Sequence, residues 1–128
     1  MANKVLVIDD DNEFVEAVVN VLDAKGYEVD SAPDGKAGIA KAKEIKPHII
    51  LLDVMMTTKS EGFDVARELN RDKILKNVPI IMITGVRKEM KLPFGFEPDE
   101  SWLPVKSVLE KPIRPDVLLK TVEEYIKG

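Results

Sequence analysis

An open, doubly wound α/β domain built on a parallel sheet of five strands is what this sequence predicts, and two patterns predict it. Short apolar runs rich in β-branched residues alternate along the chain with stretches of helical spacing. One of those runs, Ile49-Ile50-Leu51-Leu52, is apolar on both faces, which a strand tolerates only at the centre of a parallel sheet with helices on each side. A chain of 128 residues supplies one such core, and strand–helix–strand units of this length connect by right-handed crossovers.

Each element has its own signal. Val5, Leu6, Val7 and Ile8 form a buried first strand that stops at Asp9-Asp10-Asp11, where three carboxylates are unwelcome inside a sheet. From Asn12 the spacing turns helical, with Phe14, Val15, Val18, Val19, Val21 and Leu22 on or near one face, Asp11 as N-cap and Gly26 as the C-terminal cap. Residues 27–32 alternate as a second strand, Pro33-Asp34-Gly35 turns the chain, and Ala37, Ile39, Ala40 and Ala42 mark a small-residue helix that ends near Pro47.

The third strand runs into Asp53. Phe63, Val65, Ala66 and Leu69 mark a third helix, and Pro79-Ile80-Ile81-Met82-Ile83 a fourth strand ending at Thr84. Residues 86–104 have no clear apolar period and carry Pro93, Pro98 and Pro104, so the expectation is an atypical fourth-helix region in which any regular helix ends by about Lys91. Residues 105–109 read as a fifth strand before Lys111-Pro112, and Pro115 with Asp116 opens a last helix carrying Val117, Leu118, Val122 and Ile126.

Composition narrows the function classes. The chain is 45% hydrophobic and 33% charged, and no apolar run approaches a membrane span, so membrane insertion is not expected. Formal charge is −4 with basic residues scattered, which argues against direct nucleic-acid binding. The absence of cysteine and of a signal-peptide pattern fits a cytoplasmic home.

The chemistry lies at strand ends. Asp9 and Asp10 follow the first strand, Asp53 the third, Thr84 the fourth and Lys111 the fifth, and in a parallel sheet those ends share one edge, where open α/β folds bind ligands. Singly, each has an ordinary reading: the acidic triplet favours a helix N-terminus, and a strand-end Asp, Thr or Lys is usually just solvated. Together they form a hard-oxygen cluster suited to Mg²⁺, beside a lysine and a hydroxyl able to hold phosphoryl oxygens. An Asp in that setting can act as a nucleophile on phosphorus.

The segments Val5-Leu6-Val7-Ile8-Asp9-Asp10-Asp11, Ile50-Leu51-Leu52-Asp53-Val54-Met55-Met56, Ile83-Thr84-Gly85 and Leu109-Glu110-Lys111-Pro112 resemble the receiver domain of bacterial response regulators, chemotaxis regulators among them. The resemblance covers nearly the whole chain, read as a single receiver domain over residues 1–128 without an output domain. It implies a flavodoxin-like strand order of 2-1-3-4-5 and a two-component signalling switch rather than an enzyme. It also implies phosphorylation on Asp53 and Mg²⁺ held by Asp10 directly, by Asp9 mostly through water, by Asp53 and by the Met55 carbonyl. Thr84 and Lys111 would contact the phosphoryl group, helping its transfer and its later removal, and Lys111-Pro112 would be a cis peptide. A sensor histidine kinase or phosphotransfer protein is the implied donor, and a downstream effector protein the implied listener.

Three departures from the family pattern stand out: the loop after Asp53, the position before Lys111 and the stretch between Thr84 and Lys111. Thr57 stands where a proline usually follows the second methionine, and the glycine of the third helix is displaced to Gly62. Val108 replaces the aromatic residue three positions before the lysine. The stretch between Thr84 and Lys111 is longer than usual and lacks a Gly-Ala-Asp motif before the fifth strand.

Alternatives from other classes are a haloacid-dehalogenase-type phosphohydrolase, a flavodoxin-like electron carrier and a pseudo-receiver that is never phosphorylated. Against the hydrolase, Glu13 occupies the usual Thr or Val position, no acidic pair follows Lys111 at a strand end and a cap domain has no room. Against the electron carrier, three carboxylates occupy the place of a phosphate loop. Val108 keeps the pseudo-receiver in play; the intact acidic site opposes it. His48, the single histidine, is expected to be structural at a strand edge, and Met55 and Met56 to pack under the loop. Trp102, with Phe94 and Phe96, either anchors residues 86–104 or forms a partner surface.

Overall fold

In the computed structural model, the described residues are 3–53, 61–73, 75–84, 107–110 and 113–127. Nine elements lie along them, strand and helix alternating as far as β4: β1 (Lys4–Ile8), α1 (Asn12–Asp23), β2 (Glu28–Ala32), α2 (Gly35–Ile45), β3 (Ile49–Asp53), α3 (Glu61–Arg71), β4 (Ile80–Thr84), β5 (Ser107–Glu110) and α4 (Pro115–Lys127). All strand pairs are parallel, and the sheet runs β2-β1-β3-β4-β5. The order reverses between β1 and β3, so the crossovers place helices on both faces.

Side-chain alternation within the strands divides the interior in two. On one face Leu6, Ile8, Ile50, Leu52, Ile80 and Met82 pack with Ala42 of α2 and with Val65, Ala66 and Leu69 of α3. On the other, Val5, Val7, Ile49, Leu51, Ile81 and Ile83 meet Val18 and Leu22 of α1 and Leu118 and Val122 of α4. All five residues of β3 are buried, as its two-sided apolar sequence demands. Each fully buried Leu or Ile contributes roughly 1.5–3 kcal/mol, so these two layers are the main favourable term in the fold.

Helix ends follow local chemistry. Asp11 caps α1 by accepting from the Phe14 N–H at 3.2 Å, and Asp34 caps α2 by accepting from the Ala37 N–H at 2.8 Å. Proline opens α4, where its missing N–H removes only a donor that a first turn leaves unpaired anyway. α1 ends earlier than its glycine suggests: Ala24 is the C-cap, while Gly26 takes the left-handed conformation at φ 88° and returns its N–H to the Asp23 carbonyl at 2.9 Å. α2 ends on Lys46 at φ 50°, a left-handed cap made without glycine.

At the amino end of the sheet His48 is structural. Its Nδ1 accepts from the Lys4 N–H at 2.9 Å, and its own N–H donates to the Lys4 carbonyl at 2.9 Å, which laces β1 to the start of β3. Among the described residues no helix is long and apolar enough to cross a membrane. The expectations for residues 86–104, with Trp102, Phe94 and Phe96, and for Met56 and Thr57, lie outside the described residues.

Candidate functional site

The site is a consequence of the sheet order. β1 and β3 are neighbours in register, Ile8 opposite Leu52, so the residues that follow them, Asp9 and Asp53, come side by side at the carboxyl edge. Asp53 is itself the last residue of β3, paired with Ile83 of β4. The ladder between β1 and β2 also runs one bond past Ile8, because the Asp9 N–H donates to the Ala32 carbonyl at 3.0 Å. Backbone pairing on two sides therefore fixes where both carboxylates start.

Asp9 and Asp53 are buried, at 2% and 3% exposure, and are the buried charged residues among those described. Asp10 is exposed beside them. One carboxylate oxygen from each of Asp9, Asp10 and Asp53 can be chosen so that all lie within 4.8 Å of one another. The acidic run then leads into α1 through a relay of local bonds. The Asp11 N–H donates to Asp9 Oδ1 at 2.8 Å, and Asp11 in turn accepts from Phe14 as the helix cap. Asp11 thus has the capping role its position suggested, and its amide helps orient Asp9.

Three carboxylates so close, two of them withdrawn from water, repel one another unless a cation stands among them. All three offer hard oxygen donors, the set that Mg²⁺ prefers and that leaves coordination positions for water or a phosphoryl oxygen. The donor chemistry therefore fits a small divalent cation.

The remaining expected site residues reach the same edge to different extents. Thr84 ends β4 in register with Glu110 of β5, so its backbone stands at the carboxyl edge beside Asp53's strand. Met55, Lys111 and the Lys111-Pro112 peptide lie outside the described residues. Val108 of β5, the position without an aromatic ring, is in register with Met82 of β4. One positional feature had no signal in the sequence. Gly38 of α2 lies directly against Ile8, the residue before the acidic pair, and its spacing in the helix gives no hint of that approach.

The chain belongs to the response regulator receiver domain family, whose family model matches residues 5–123. It is 27% identical over 125 residues to the protein PilH of Pseudomonas aeruginosa, covering 98% of each chain. It is 36% identical over 97 residues to the alkaline phosphatase synthesis transcriptional regulatory protein PhoP of Bacillus subtilis, covering 76% of this chain and 39% of that one. The match to the DNA-binding regulator RpaA of Synechocystis likewise spans 39% of the relative's length. Among solved structures, the chemotaxis response regulator CheY4 of Vibrio cholerae superposes with a TM-score of 0.82 at 30% identity, covering 98% of this chain and 99% of that one. The flavodoxin-like α/β fold and the place of this chain among receiver domains of two-component signalling stand on these matches together.

Proposed function

We propose that this domain accepts a phosphoryl group on Asp53 and that the modification switches its binding to a partner protein. The observation that carries the reading is the convergence of Asp9, Asp10 and Asp53 within 4.8 Å at the edge where β1 and β3 end. Asp53 ends the buried central strand, whereas Asp9 and Asp10 flank it from β1.

In this reading an Asp53 carboxylate oxygen attacks the phosphorus of a phosphorylated histidine on a sensor kinase or phosphotransfer protein. An O–P bond forms and the N–P bond breaks, and the histidine nitrogen keeps the electron pair. Asp10, Asp9 and Asp53, with the Met55 carbonyl, would hold Mg²⁺, which when bound offsets the charge of the carboxylates and of the phosphoryl oxygens. Thr84 would donate a hydrogen bond to one phosphoryl oxygen, and Lys111 would hold another by charge. The same groups would admit water for the later hydrolysis of the aspartyl phosphate. The downstream listener is a protein effector and the compartment the cytoplasm.

The test is incubation with acetyl phosphate and Mg²⁺, borohydride trapping, and mass mapping of the modified peptide. Label on Asp53, absent from Asp53→Asn, is the expected result. Label on Asp9 would favour the phosphohydrolase, and an Asp53→Asn protein that labels as well as wild type would sink the phosphoacceptor assignment.

A further inference from the structure

We propose that Gly38 is a positioning residue for the acidic site: the space left by its missing side chain lets Ile8 seat fully, and Ile8 sets where Asp9 and Asp10 stand relative to Asp53. The inference rests on the metal-binding reading above and adds a residue outside the acidic cluster to it.

Glycine is a poor choice inside a helix, and Gly38 has no conformational reason to be one, since among the described glycines only Gly26 has positive φ. The reason is contact. A Cβ at Gly38 would stand 2.5 Å from Ile8 Cδ1, 2.8 Å from Cγ1 and 2.9 Å from Cγ2. Two of those atoms sit on the β-branch, so turning the side chain about its first torsion replaces one clash with the other. Ile8 is wholly buried among Leu6, Ala42, Ile50 and Leu52, which leaves it no empty volume to enter.

Relief must therefore come from a shift of backbone. The helix resists, because its first turn is fastened by the Asp34 side chain to the Ala37 N–H and by the Gly38 N–H to the Asp34 carbonyl, each at 2.8 Å. The strand end is the more yielding side, since the β1 ladder stops at Ile8 and its pairing with β2 runs out past the bond from Asp9 to Ala32, whereas α2 is tied at its cap. Moving Ile8 moves the next residue, Asp9, and with it Asp10, away from the register with Leu52 that brings Asp53 alongside. The close approach of α2 thus acts on the metal site through one buried side chain.

The test is a Mg²⁺ titration followed by the backbone amide resonances of Asp9, Asp10 and Asp11 in wild type, G38A, I8V, the double variant I8V/G38A, and V122A. Val122 lies in the opposite core layer, so V122A reports destabilisation without this contact. G38A should bind Mg²⁺ roughly ten-fold more weakly, the low end of what losing an orienting neighbour costs a metal site. I8V removes the nearest of the three clashing atoms and keeps the two on the β-branch, at 2.8 and 2.9 Å, so it should recover binding in part when combined with G38A and change it little on its own. An unchanged dissociation constant in G38A, no recovery in the double variant, or an equal loss in V122A would each overturn the proposal. If the wild type itself binds no Mg²⁺, the metal reading falls, and the metal-free spectra then decide for Gly38. Asp9 to Asp11 shifts that move in G38A and return in I8V/G38A uphold the positioning role, and shifts that stay put refute it.

Discussion

Replacing Asp53 by asparagine should make the metal-free protein more stable while removing its response to Mg²⁺. Asparagine keeps the shape of the side chain and deletes one negative charge from a pair of carboxylates that are 2% and 3% exposed, with oxygens within 4.8 Å. At that separation, two unit charges repel by about 0.9 kcal/mol in bulk water and about 3.5 kcal/mol at the effective dielectric of roughly 20 that suits protein sites. Burial places the Asp9–Asp53 pair between those limits, so the expected gain is about 1–3 kcal/mol in EDTA. For a domain of this size that is on the order of 4–12 °C in melting temperature. Wild type should close the gap as Mg²⁺ is added, because a cation bound at 100 times its dissociation constant stabilises by about 2.7 kcal/mol. Urea denaturation of both proteins, in EDTA and in a Mg²⁺ series, reads both effects. An Asp53→Asn protein no more stable than wild type in EDTA, or a difference that ignores Mg²⁺, would refute the picture of a strained carboxylate cluster relieved by a cation.

Two further outcomes follow from the described geometry. Burial, with the Glu123 carboxylate nearby adding to it, raises the Tyr27 hydroxyl pKa above its ordinary 10.0. The folded state therefore keeps that proton after the unfolded chain has lost it. The stability tied to Tyr27 is full below pH 10 and is lost as pH rises through the folded value, so Tyr27→Phe should flatten the fall in urea midpoint above about pH 10, and parallel alkaline limbs would count against it. Lys46 closes α2 at φ 50°, where a side chain crowds the backbone, so Lys46→Gly should raise stability by roughly 0.5–1 kcal/mol. Chemical denaturation showing a loss instead would mean that the lysine side chain contributes more than its strain.

What could be read from the residues alone was whatever is written in short-range pattern. The apolar runs of β1, β3 and β4 announced buried strands because each is flanked by a turn signal or a carboxylate, and the meeting of Asp9, Asp10 and Asp53 followed from parallel pairing without side-chain detail. Boundaries slipped where capping is decided by geometry. Gly26 marked the left-handed residue after α1 but not the helix end, which falls at Asp23, and the left-handed cap at Lys46 carries no glycine to signal it. Asp53 is the final residue of its strand, since a backbone can go on pairing after its side chain has reached a polar site, and β4 ends at Thr84 as its apolar run suggested. Gly38 was illegible for a deeper reason. Its partner Ile8 is 30 positions away in the chain, and only the packing of α2 on the sheet brings them together.

The burial of β3 has a consequence for the lifetime of anything attached to its end. A strand covered on both faces and paired on both sides belongs to the part of a domain that opens only when the whole domain opens, so its amides exchange with solvent at the global free energy. Local breathing of the strand therefore offers water no back route to the Asp53 carboxylate. Under the proposed phosphorylation of Asp53, solvent would have to reach the group from the carboxyl edge, so its lifetime would be set there and not by motion of the strand beneath it.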